Sequence, residues 1–173
     1  MELITNGFPK SGNHALVKAV QLLGQPCQVS HIPFSSEGLD NTHRIFIKRD
    51  PRNIVCSWLR FNNKPVTPGM FISAFRQFQS VSLCEEMAEY AGWLAEPNTL
   101  IVKYEDLIAT DMEMRRIAAY LGVPYIPGAF ENLPGLTRTW YSNHSDYNTI
   151  WTSDVDIVWA NEGGAELLKT WGY

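Results

Sequence analysis

Residues able to do chemistry fall in three short stretches of this 173-residue chain. The first is Gly7-Phe-Pro-Lys-Ser-Gly12, two glycines spaced so that the backbone can wrap an anion, with Lys10 between them. Asn13, His14 and Ala15 follow directly, where a helix start would add N–H groups and the positive end of a dipole. The second stretch is Ser30-His31-Ile32-Pro33; histidine is the usual side chain for moving a proton near neutral pH. The third is Arg49-Asp50-Pro51-Arg52-Asn53, with Ser57 further along the same segment. A Walker loop would carry Lys-[Ser/Thr] after its last glycine, whereas this chain carries Asn13-His14 and has its lysine inside the loop. That pattern argues against Mg-nucleotide chemistry, although a plain strand-to-helix turn has the same glycine spacing. The plain alternatives for the other residues are a structural histidine at 31, a surface salt bridge at Arg49 and a neutral helix position at Ser57.

Elements must bring these residues together. Glu2 to Asn6 reads as a short apolar strand running into the glycine turn, and residues 13–23 follow with helical spacing, stopped by Gly24 and Pro26. Cys27 to His31 alternates as a strand, which would put His31 at a strand's C-terminal end, the rim where α/β folds hold ligands. Arg44 to Lys48 is the next strand. Asp50-Pro51 then opens a helix, Asp50 as N-cap and Pro51 in the first turn. Residues 70–95 predict one or two helices, and Thr99 to Tyr104 is an apolar, β-branched strand. Thr110-Asp-Met-Glu113 has the spacing of a capping box before a helix that ends at Gly122. Residues 123–153 read as irregular, and a last helical stretch from about Val155 to Leu168 is interrupted at Gly163-Gly164. Strands alternating with helices imply parallel β-α units in one domain over residues 1–173.

Composition narrows the function. With 14 Lys+Arg against 18 Asp+Glu the net charge is −4, which argues against bulk nucleic-acid binding. Five bases and one acid lie between Arg44 and Arg60, so the charge pattern suits a small anionic ligand or simply a solvated face. No apolar run spans a bilayer, no secretory signal opens the chain, and three dispersed cysteines fit a reducing, cytoplasmic setting. Neither a metal-ligand pattern nor a membrane partner is expected.

Pro9-Lys10-Ser11-Gly12 resembles the PKSG loop of sulfotransferases that use 3′-phosphoadenosine 5′-phosphosulfate (PAPS). Arg49-Asp50-Pro51-Arg52-Asn53 with Ser57, and Lys103-Tyr104-Glu105-Asp106-Leu107, resemble two further segments of that family, so that three motifs fall in its order, and Ser30-His31-Ile32-Pro33 resembles its Thr-His-Leu-Pro. The resemblance implies a compact member with a P-loop nucleotide-hydrolase-like, three-layer α/β/α fold around a parallel sheet. It implies transfer of a sulfuryl group from PAPS to a hydroxyl or amine of a small molecule, glycan or peptide, leaving 3′-phosphoadenosine 5′-phosphate (PAP), without a metal. His31 would take the acceptor's proton, and Lys10 would stabilise the leaving phosphate oxygen. Ser11, Gly12, Asn13, His14 and Ala15 would line the donor's 5′ end, Arg49 and Ser57 its 3′-phosphate, and Tyr104 its adenine. The chain departs from the family pattern in four places. Asn13 and His14 replace two threonines, Ala15 replaces a tryptophan, and Val29 replaces a lysine. The C-terminal 3′-phosphate motif is reduced to one stand-in, Arg138. The rival readings are a P-loop nucleotide or small-molecule kinase and a nucleotide-binding protein that has lost catalysis.

Overall fold

The computed structural model describes residues 2–35, 42–134 and 147–173, arranged as two compact units. The first unit, residues 1–49 and 93–142, contains a parallel sheet of β1 (Glu2–Gly7), β2 (Thr42–Lys48) and β3 (Thr99–Lys103), in the order β1-β2-β3. The register places Gly7 beside Ile47 and Lys48 beside Lys103, so all three strands end at one rim. Alternation along β2 sorts the two faces. Ile45 and Ile47 join Val102 in a core with Leu16, Ala19 and Val20 of α1 (Asn13–Leu22), Leu107 of α5 (Tyr104–Ala109) and Met114 and Ile117 of α6 (Met112–Leu121). Phe46 turns the other way and stacks on Trp93.

The second unit, residues 50–92 and 143–173, is helical among its described residues. It comprises α2 (Pro51–Phe61), α3 (Pro68–Arg76), α4 (Leu83–Ala88), α7 (Ser153–Asn161) and α8 (Gly164–Trp171). Its centre is aromatic: Phe71, Phe75 and Trp151 all meet Trp159. The break between α7 and α8 has a steric cause. Gly163 has φ +92°, and a Cβ on Gly164 would stand 2.3 Å from the Trp159 ring.

Three expectations need correction. Cys27 to His31 is not a strand; the chain from Gln25 to Ser35 carries no regular structure. Side chains of β1 hold this segment instead: Thr5 Oγ1 donates to the Gln28 carbonyl (2.8 Å), and the Asn6 amide bonds both backbone groups of Ile32 (2.8 and 2.9 Å). The capping box at Thr110–Glu113 does not form, because the Glu113 carboxylate pairs with Arg116. A capping box exists at Ser82–Glu85 of α4, a Ser-x-x-Glu signal the spacing argument passed over. The third concerns the fold class. The P-loop nucleotide-hydrolase-like arrangement is not what this chain adopts: Lys10 lies within the loop in a left-handed conformation (φ 69°), and α1 begins with Asn13-His14 where a Walker lysine and its Ser/Thr would stand.

Candidate active site

Each strand of the sheet delivers one group just beyond its C-terminal end: the glycine loop after β1, Arg49 after β2, and Tyr104 after β3. They touch. The Arg49 guanidinium lies 4.3 Å from the centroid of the Tyr104 ring, and its Nη1 donates to the Lys10 carbonyl (3.3 Å). Arg49 is buried, so its charge is held in place rather than left to sample solvent. Gly12 explains the tight fit. Its φ is +106°, and a Cβ there would stand 2.3 Å from Tyr104 Cδ2. The tyrosine ring therefore acts first as a platform for the loop and the guanidinium, and burial pushes its hydroxyl pKa up.

The loop residues divide by direction. Ser11 turns inward: its N–H and its hydroxyl both donate to the Phe8 carbonyl (3.1 and 2.6 Å). Asn13 is buried, and its Nδ2 donates to the carbonyls of Gly7 and Phe8, each at 3.0 Å. The Ala15 methyl belongs to the core, not to a ligand face. No side chain caps α1 and no acid sits in its first turn, so its opening N–H groups and dipole face the loop. Lys10 and His14 provide the side-chain charge. Partial loss of water lowers the Lys10 pKa to about 8. The same effect lowers that of His14, helped by the nearby charges of His31 and Lys10, so His14 meets neutral pH as an uncharged ring.

His31 is brought to this loop. Its Nδ1 stands 3.0 Å from the Gly7 carbonyl oxygen and 3.1 Å from Asn13 Nδ2. The segment carrying it is pinned one residue later, where the Ile32 carbonyl accepts from both Asn6 and Trp93 Nε1 (3.0 Å). Asn6, Thr5 and Trp93 are supporting residues the sequence reading did not single out. The one available signal was a pair of polar residues at the end of an apolar strand, immediately before the first glycine.

The other expected members are placed less fully. Ser57 lies on α2 in the second unit. Arg138 lies outside the described residues. The basic run from Arg44 to Arg60 is not one charged patch. Arg44 is buried against Glu96 and the Pro97 carbonyl, and Arg52 is paired with Asp50.

A parallel sheet whose rim gathers a glycine loop, an uncapped helix start, a buried arginine and a histidine defines an α/β protein whose polar groups converge at the strand ends. More narrowly, the chain belongs to the sulfotransferase domain family, which matches residues 25–138. In three dimensions it is similar to mouse sulfotransferase SULT7A1, solved in complex with PAP. The TM-score is 0.70 at 13% identity, over 92% of this chain and 82% of that one. This likeness to a sulfotransferase fold overturns the P-loop nucleotide-hydrolase expectation. Among curated proteins, no sequence matches the chain. No helix among the described residues is long and apolar enough to cross a membrane.

Proposed function

We propose that this sulfotransferase takes its sulfuryl group from PAPS and passes it to a hydroxyl or amine of a small molecule, glycan or peptide, leaving PAP. The observation that carries this reading is the joint placement of the Lys10 loop, Arg49 and Tyr104 at one rim, with His31 hydrogen-bonded to the loop's first carbonyl. The fit to the donor is chemical. A loop ending in Gly12, where no Cβ is tolerated, and an uncapped helix start suit a 5′-phosphosulfate. A buried arginine suits a 3′-phosphate. The donor supplies an activated sulfuryl group; the rest is positioning and charge.

In this reading Lys10 and the N–H groups of residues 12–15 neutralise charge on the leaving phosphate oxygen. His14 adds a neutral hydrogen-bonding ring on the same side. The Ser11 contribution is to close the loop through Phe8. Arg49, with Ser57 by family resemblance, holds the 3′-phosphate, and Tyr104 offers the adenine what remains of its ring surface. Arg138 is assigned to the 3′-phosphate on resemblance alone. His31 accepts the acceptor's proton at Nε2. The chain works as one domain in the cytoplasm, on a soluble acceptor, and calls on no metal.

The test is turnover of PAPS with a panel of phenols, sugars and amines. His31→Ala should bind PAP as the parent does and lose at least ~10²-fold in turnover, the low end for a positioned general base. Normal PAP binding without turnover in the parent protein would make the chain a nucleotide binder and defeat the catalytic reading. Full turnover in the variant would remove His31 from the mechanism.

A further inference from the structure

Where the family pattern has a threonine for the phosphosulfate, this chain has Asn13, and its side chain points elsewhere. The carboxamide is buried under the loop, with Nδ2 3.0 Å from the Gly7 carbonyl, 3.0 Å from the Phe8 carbonyl and 3.1 Å from His31 Nδ1. The orientation of the amide is settled by chemistry. Reversing it would set an oxygen against two carbonyl oxygens and leave an NH₂ where Oδ1 now lies buried without a partner. An NH₂ group has two hydrogens, and the two carbonyls take both. None is left for the imidazole, so Asn13 does not donate to Nδ1. The Gly7 carbonyl stands 3.0 Å from Nδ1 and can only accept. That contact is favourable only if Nδ1 carries the proton.

We propose that Asn13 is a positioning residue that fixes the Gly7 and Phe8 carbonyls so that Gly7 selects the Nδ1–H tautomer of His31, leaving the lone pair on Nε2. The consequence for the reaction rests on His31 being the base. A proton leaves the acceptor oxygen or nitrogen for Nε2 as the new bond to sulfur forms and the bond from sulfur to the 5′-phosphate oxygen of PAPS breaks; PAP departs with that electron pair, and the imidazolium keeps its Nδ1–H bond to Gly7. Without Asn13 the Gly7 carbonyl loses the amide that aims it at the ring, and the ring can then protonate Nε2, the wrong nitrogen for a base. Gly7 itself allows the arrangement, because a Cβ there would stand 2.5 Å from Asn13 Oδ1. Titrating neighbours on the same side are Lys10 and His14 of the loop and helix, with Cys27 upstream on the histidine's own segment.

Nitrogen-15 NMR of the neutral imidazole in the whole chain reads the tautomer directly and depends on no assay of activity. The parent protein should show His31 protonated on Nδ1. A parent signal from Nε2–H overturns the proposal outright, with no variant needed. Asn13→Ala should move the ring toward the Nε2–H form and lower kcat about tenfold to a hundredfold, the scale of a small misplacement in a reacting group. Its KM for PAPS should change less than about twofold. An Asn13→Ala protein that folds and keeps the parent tautomer shows that Asn13 does not set it. A large rise in KM with kcat unchanged would instead make Asn13 a donor ligand, as the family's threonine is. Loss of turnover in neither His31→Ala nor Asn13→Ala, with the tautomer shifted as expected, would defeat the base assignment and leave the positioning chemistry standing.

Discussion

Lys10 carries two unusual properties at once. It holds a left-handed backbone conformation, costing about 1–2 kcal/mol for a residue with a Cβ, and its amine has a pKa of about 8. The second gives a signed expectation. The ammonium is intact below about 8 and is lost as pH rises through it, so the affinity for an anionic ligand should fall on the alkaline side. The dissociation constant of PAP should grow there by at most about tenfold per pH unit, the limit for one proton. Lys10→Arg, charged at all these values, should flatten the alkaline limb, as titration calorimetry of the two proteins would show. Arg49 permits a different test. A buried, charge-assisted contact is worth about 1.5–3 kcal/mol, so Arg49→Ala should weaken PAP about tenfold to a hundredfold and hardly touch its 3′-dephospho analogue. Equal losses would mean that Arg49 only braces the loop through Lys10.

Strands and helices differ in how openly the sequence announced them. β1, β2, β3, α1 and α2 stand where short apolar runs, helical spacing and the Asp50-Pro51 signal placed them, because each is specified by its own residues. The misreadings share a cause. At residues 27–31 the alternation is real, but the backbone groups of Gln28 and Ile32 bond to side chains of β1 rather than to a strand. At Thr110–Glu113 the spacing is real, but Arg116, one turn further along the same helix, takes the glutamate. The β1 partners lie outside any local window, whereas Arg116 lies inside one and competes through an ordinary i,i+3 pair. The same applies to the site: the loop and His31 were legible as motifs, whereas the roles of Asn6 and Trp93 depend on where Ile32 comes to rest. Asn6→Ala measures what that tether is worth. It leaves the Ile32 N–H without its acceptor, so it should cost about 1–3 kcal/mol by thermal or denaturant unfolding. Hydrogen exchange at the Ile32 amide should accelerate while β2 amides stay protected. Unchanged exchange at Ile32 would show that Trp93 alone holds the segment.

At the scale of the molecule, the charge pattern proved a poor guide. Of the acids from Glu85 to Glu113, Glu85 accepts from Ser82, and Glu96, Asp111 and Glu113 pair with Arg44, Arg115 and Arg116; within the basic run Arg44 and Arg52 are paired. What distinguishes the rim is the burial of its charged groups, the Arg49 guanidinium foremost and the Lys10 amine in part, not net charge. The fold of a sulfotransferase is retained at 13% identity to a mouse member, which fits a site defined by backbone loops and strand ends more than by many side chains. The rim is also assembled late, in a sense that concerns time rather than space. Its parts come from three neighbouring parallel strands, and parallel neighbours can be joined only after long crossovers have closed. A chain in the act of folding has no complete rim until β3 has registered on β2 and β2 on β1. Ligand should therefore act almost wholly on the return journey. At about a hundred times its dissociation constant, PAP should add about 2.7 kcal/mol, and stopped-flow chevrons should show this as slower unfolding with the refolding limb unmoved. Faster refolding in the presence of PAP would mean that the rim exists already in the transition state, and that the sheet closes before the helices pack on it.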